Sequence, residues 1–217
     1  MLREVALRTI GQPHVPNFAD PLGLMSHCHR KIEGYLAGLA SSGEILLGGR
    51  ASELAGAFQV IDAAREHFAV RGPKHTEDEE VSLFPRLREY GGREAEEALA
   101  ALAALETEHR VAEGVHSEFD ELVECLPRDG SAGVKEIYLF NELVAELADL
   151  YRPHIRIEDE IIFPTAARVI PPDALSLIGR EMLARRRELL TGLRGGITND
   201  LTGREIGQSA QVSRGRG

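Results

Sequence analysis

The chain has 217 residues, a formal net charge of −10 and 43% apolar residues, with aromatics at only 5% and no tryptophan. This is enough apolar material for one domain with its own core, in a mix that favours helices over strands. The negative charge argues against a nucleic-acid partner, no apolar stretch approaches the ~20 residues that span a bilayer, and Cys28 and Cys125 form neither a CxxC pair nor a disulfide framework. The first stretch, MLREVALRTIGQPHVP, lacks a continuous apolar secretion segment, so the expectation is a cytoplasmic protein with reduced thiols.

Asp20-Pro21 combines an N-cap with a proline at the first helical position and predicts helix one from there to about Ala40. The stretch SSGEILLGG, Ser41 to Gly49, reads as a loop. Helix two follows from about Ala51 to Tyr90, interrupted at Gly72-Pro73 and stopped by Gly91-Gly92. Helix three runs from about Arg93 to Leu126, and Pro127 to Gly130 turns the chain. Helix four covers about Ala132 to Val169 with Pro153 inside it, and a fifth helix spans Asp173 to Leu193. The sequence thus divides into an extension (1–19), an all-α up-down-up-down four-helix bundle (20–170), a C-terminal helix (171–194) and a loose tail (195–217).

The apolar stripes of three helices carry histidines at positions that periodicity assigns to the core. In helix one, Leu22 and Met25 lead to His29, Ile32 and Leu36; in helix three, Leu102 and Leu105 lead to His109, Ala112 and His116. In helix four, Val144, Leu147 and Tyr151 lead to His154, Glu158 and Ile161. Helix two holds HTEDEEVSLFP (His75 to Pro85) and helix four holds HIRIEDEIIFP (His154 to Pro164). Both fit one frame, H-x3-E-E/D-x3-F-P, offset by 79 residues, and His29 and His109 are 80 apart. The first two helices therefore read as a copy of the next two.

Residues i and i+4 share a helix face, so each imidazole and carboxylate of this frame can reach one metal, or two metals a few ångströms apart. Two such faces supply His75, Glu79, His154 and Glu158; His29 and His109 add an imidazole each, and Glu113, one turn after His109, offers a third carboxylate. Three buried carboxylates are costly without counter-charge; two divalent cations and a bridging hydroxide bring the set to neutrality. Nitrogen and carboxylate donors without thiolate suit iron or manganese, and zinc less specifically. His116, about 10 Å along the helix axis from His109, is too distant to share the same pair and reads as an interior or packing residue. His14, His27 and His67 read as bystanders, and Asp159 and Glu80 as capping or ligand-supporting groups. Tyr151, one turn before His154, reads as core packing or as a hydroxyl near the metals.

In this order the motifs resemble the hemerythrin-like (HHE cation-binding) domain. The resemblance spans about Asp20 to Arg168 and rests on His29 in CHRKIEGYL, His75 and Glu79 in HTEDEEVSLFP, His109 in EHRVAEGVH, and His154 and Glu158 in HIRIEDEIIFP. It implies a four-helix bundle around two iron ions, a non-haem di-iron centre with an oxo or hydroxo bridge, bridged also by Glu79 and Glu158. The sequence differs from the oxygen-carrying hemerythrins in having Glu113 where they place a second histidine, and Glu158 one position ahead of their carboxylate. An anionic ligand in place of a neutral one favours the oxidised pair, hence redox turnover or sensing over simple oxygen carriage. The implied function is binding or sensing of a small oxidant (dioxygen, peroxide or nitric oxide). The alternatives are a peroxide-consuming oxidoreductase and an iron storage or handling protein. A homodimer through the fifth helix is compatible with the sequence but not demanded by it.

Overall fold

The computed structural model describes residues 17–48 and 51–202, with side chains through residue 187. All regular structure among these residues is helical, in five consecutive rods. The first is α1 (Pro21–Gly48); Asp20 caps it by accepting the Gly23 backbone N–H at 3.0 Å. The second joins α2 (Leu54–Val70), α3 (Gly72–Glu77), a π-helical turn (Asp78–Leu83) and α4 (Phe84–Tyr90). After Gly92, whose φ of +53° suits glycine, a 3₁₀ turn (Gly92–Ala95) leads into α5 (Glu96–Cys125). The fourth rod is α6 (Val134–Ile157), a second π-helical turn (Glu158–Ile162) and α7 (Phe163–Val169); α8 (Pro172–Thr202) is the fifth. α1 packs against α2 and α6, and α5 packs against α6. No helix among the described residues is long and apolar enough to cross a membrane.

Three boundaries differ from expectation. SSGEILLGG is helical to Gly48, because the loop-like residues are used otherwise. Ser41 and Ser42 return their hydroxyls to the carbonyls of Ala37 and Gly38 one turn back, and Gly43 makes room for Asn141, whose Oδ1 would lie 2.0 Å from any Cβ there. At the other end, α8 runs through Gly195-Gly196 to Thr202, since no proline follows Pro172 to stop it. The rest of the expected tail, His14 and most of the N-terminal extension lie outside the described residues.

The third difference concerns the prolines. Pro73 merely opens α3 after a break at Arg71, and α6 continues through Pro153 to Ile157. The backbone widens one turn later, where the Phe84 and Phe163 N–H groups donate five residues back to the carbonyls of Glu79 and Glu158. Pro85 and Pro164 explain why: in a regular α-helix each ring would press on the carbonyl four residues back, that of Val81 or Glu160. The extra residue in the turn moves that carbonyl aside. The Phe-Pro pair that closes each motif is thus the cause of a bulge that begins at its glutamate.

The core is split. One apolar cluster contains Ile32, Phe68, Val115, Leu147 and Ile155; the other contains Met25, Leu83, Leu105, Ile162 and Met182. On three of the four rods the break between the clusters falls at a histidine, His29 between Met25 and Ile32, His75 between Phe68 and Leu83, and His109 between Leu105 and Val115; on the fourth it falls at Glu158, between Ile155 and Ile162, one turn after His154. The chain gives up continuous apolar packing there to build a polar layer. From Leu183 onward α8 belongs to a second unit and continues to Thr202.

Candidate metal centre

Burying a carboxylate without counter-charge is expensive, so the layer between the two clusters needs an explanation. Glu79 and Glu158 are fully buried, and His29 is 1% exposed. Among the described residues, both oxygens of each glutamate and Nε2 of His29 lack any hydrogen-bond partner. They nevertheless lie close together. His29 Nε2 is 3.1 Å from Glu158 Oε2 and 3.8 Å from Glu79 Oε1, and His75 Nε2 is 3.1 Å from Glu79 Oε1. On the other side His109 Nε2 and His154 Nε2 are 3.0 Å apart, at 3.4 Å from Glu79 Oε2 and 3.3 Å from Glu158 Oε2 respectively.

Two groups of donors result: His29, His75, Glu79 and Glu158, and His109, His154 and Glu158. Each glutamate faces both groups, Glu79 with one oxygen to each side. Buried electron-pair donors turned toward one another, without hydrogen-bond partners among the described residues, suit a metal cation.

The flanking groups explain the rest of the repeat. Asp159 Oδ1 lies 3.0 Å from His29 Nδ1, and Glu80 Oε1 lies 2.8 Å from His109 Nδ1. The acid that follows each glutamate therefore supports the lone histidine of the opposite half of the chain. The phenylalanines do the same: Phe163 stacks on His29 at 5.3 Å and Phe84 on His109 at 6.5 Å. A carboxylate behind a ligating imidazole fixes its tautomer and strengthens it as a donor. His154 has such a carboxylate in Glu108, at 2.8 Å from Nδ1, whereas Nδ1 of His75 has no partner.

The electrostatics show a site that draws in positive charge. Burial alone would push His29 down, but Asp159, Glu158 and Glu79 outweigh it and hold it up at about 11. Burial likewise opposes, and Glu158, Glu79 and Glu108 overcome, the rise of His154 to about 9. Burial and the Glu158 charge lift Glu79 to about 7. Burial works the same way on Glu158, but His154 and His29 prevail and take it well below the usual range. His75, buried and near the other imidazoles, is held well below its ordinary value.

Six of the seven expected ligands meet here. The seventh, Glu113, does not: it is exposed and outside both donor groups, at the mouth of a cavity beside His109. One turn past His109 the helix has already reached the open side of the site, where water solvates a carboxylate at no cost. Glu113 therefore adds no carboxylate to the two donor groups, although Asp159, Glu80 and Glu108 keep their surroundings rich in carboxylates. The cavity, about 330 Å³, is lined by His109, Glu80, Phe68, Val81, His116 and Tyr151 among others. His116 Nε2 and the Tyr151 hydroxyl are 3.0 Å apart on its wall.

The profile of the hemerythrin HHE cation-binding domain matches residues 20–166. The chain belongs to this family. No curated protein matches it. All six converging residues of this HHE domain, and the acids behind them, fall within the matched span. Sequence reasoning missed Glu108, whose signal was its place just before His109, a quarter-turn around α5 and facing α6. His67, off the stripe of its helix, is nonetheless 7% exposed and packs at a tilt on Tyr35, because α2 turns that face toward α1.

Proposed function

We propose that the chain is a di-iron protein that binds or senses a small oxidant (dioxygen, peroxide or nitric oxide) within an up-down-up-down four-helix bundle in the cytoplasm. One observation carries the proposal. Five buried donor atoms, four carboxylate oxygens and an imidazole nitrogen, have no partner and lie where four rods meet. Their number suits two ions better than one. With Asp159, Glu80 and Glu108, five carboxylates surround four imidazoles, an excess of negative charge that a single divalent ion leaves standing. His29 and His75 would hold one ion, His109 and His154 the other, with Glu79 and Glu158 between them.

Iron, when bound, supplies the redox chemistry. The chain's residues do the rest. Asp159, Glu80 and Glu108 fix three imidazoles. The two apolar clusters keep bulk water from the carboxylates. The cavity gives a small molecule access on the His109 side. Addition of nitric oxide, dioxygen or peroxide to the reduced, iron-loaded protein should change its visible spectrum, and His109→Ala should remove the change. No response to any of the three would refute the reading.

One feature favours turnover of peroxide over simple binding. His116 and Tyr151 put a proton acceptor and a proton donor on the cavity wall, and disproportionation moves two protons and two electrons from one peroxide, which leaves as oxygen, to a second whose O–O bond breaks to give two waters. Oxygen release on addition of peroxide, reduced in Tyr151→Phe, is the expected signature; peroxide left intact would exclude turnover.

A further inference from the structure

The two halves of the chain repeat one frame, so each serves as a reference for the other, and they differ at the cavity beside His109. By the offsets of 79 and 80 residues that relate the halves, the counterparts of Val81, Ala112 and His116 are Glu160, Ile32 and Leu36. Ile32 and Leu36 are buried in an apolar cluster and fill their own face of the bundle. Ala112 leaves out most of the isoleucine volume, and it lines the cavity of about 330 Å³.

That space exceeds what dioxygen, nitric oxide or hydrogen peroxide needs. A water molecule takes up roughly 30 Å³ of the liquid, whereas cavities of about 300 Å³ and above hold organic ligands. Phe68, Pro73 and Ala112 give it an apolar wall. Val81, 60% exposed, extends that wall to solvent where the second half carries the polar Glu160. The charged residues around it are Glu77, Glu80 and Glu113 against Arg110, a negative excess that disfavours an anion. The body that fits is carbon-rich and uncharged.

Beside the apolar wall stands one polar pair. His116 Nε2 and the Tyr151 hydroxyl are 3.0 Å apart, and Phe68 packs on the His116 ring at 4.4 Å. The Tyr151 ring lies 6.4 Å from that of His154, which places the pair next to the candidate metal centre. In the other half the place of His116 belongs to Leu36, which has no polar atom to offer. An imidazole and a phenol together can donate to and accept from one hydroxyl-bearing head.

We propose that this cavity binds an uncharged organic hydroperoxide, its carbon body against Phe68, Val81 and Ala112 and its –OOH group at the His116–Tyr151 pair. The organic body follows from the cavity alone; the peroxide head rests on the function proposed above. In the reaction implied, the O–O bond breaks, two electrons come from an added reductant of the ascorbate class and two protons from solvent, and an alcohol and water leave. Calorimetric titration of the full chain loaded with zinc, a redox-inert ion, measures binding of cumene hydroperoxide without its reduction. Saturable binding is expected, and Ala112→Ile, which copies Ile32, should weaken it by about tenfold or more, the worth of about two buried methylene groups. His116→Leu, which copies Leu36 and keeps the wall, should lower the affinity for cumene hydroperoxide to that for cumene. Melting curves check that both variants fold. In the iron-loaded chain with ascorbate, Ala112→Ile should slow the reduction of cumene hydroperoxide more than that of hydrogen peroxide. Absence of saturable binding, or binding that neither variant moves, overturns the proposal. The zinc titration needs no iron chemistry, so its failure is separate from a failure of the iron-loaded chain to respond to small oxidants.

Discussion

The repeat makes the two donor groups almost equivalent, and one position breaks the equivalence. Glu108 precedes His109 and supports His154 Nδ1 at 2.8 Å. Its counterpart in the first half, the residue before His29, is Cys28, and Nδ1 of His75 has no partner. The ion held by His109 and His154 should therefore bind more tightly than the one held by His29 and His75. A charge-assisted hydrogen bond of this kind is worth about 1.5–3 kcal/mol, and removing a carboxylate behind a ligating histidine typically costs about 10–100-fold in metal affinity. Glu108 is about a third exposed, which puts the lower part of that range in view: the side chain is 31% accessible. Competition titration with a chromophoric chelator, using manganese or zinc to avoid oxidation, should resolve two steps in the native chain. Glu108→Ala should lower the tighter step by about tenfold and bring the two together. Cys28→Glu should raise the weaker one. Two equal steps in the native chain, unmoved by Glu108→Ala, would refute the reasoning.

Glu79→Gln removes one of two facing buried carboxylates; without metal the variant should melt no lower than the parent, whereas the thermal stabilisation that metal confers should largely vanish. His67 and His116 are both held down at about 4, chiefly by burial. The unfolded chain takes up these protons below about pH 6.5 and the folded one only below about 4, so their contribution to stability is complete above 6.5 and is lost as pH falls between those values. It amounts to about 3 kcal/mol for each group at most, and urea melts of a His67→Gln variant should show a shallower loss across that window. Metal uptake runs against the protons on His29 and His154, held up at about 11 and 9, so affinity should rise with pH and binding should release protons into a weakly buffered solution. Gly43→Ala should displace the Asn141 amide and its hydrogen bond to the Ile137 carbonyl, a loss of about 1 kcal/mol that the better helix propensity of alanine largely offsets, so its urea midpoint should stay close to that of the parent.

The helical class and the ligand stripes were legible because both follow from periodicity, and periodicity survives without coordinates. The repeat then turned six separate residues into one site. What was not legible has physical causes. Gly43 and the two serines around it carry turn propensity, but α1 uses the glycine for a close approach and the hydroxyls for its own carbonyls. Glu113 shares the i+4 spacing of His75–Glu79 and His154–Glu158, and spacing alone does not say on which side of the site a helix meets water. Glu108 lies off the apolar stripe and reaches His154 only because α5 and α6 pack together. The π-turns were written in the Phe-Pro pairs, which sit five and six residues beyond the glutamates.

The central claim is that six residues, His29, His75, Glu79, His109, His154 and Glu158, hold two iron ions in the layer between the apolar clusters. Metal analysis of the full chain from iron-replete cells, with anomalous diffraction at the iron edge, tests it most directly. Two iron atoms per chain, both within coordinating distance of these side chains and both lost in Glu79→Ala with Glu158→Ala, is the predicted result. A single zinc, or iron bound away from these residues, would contradict it.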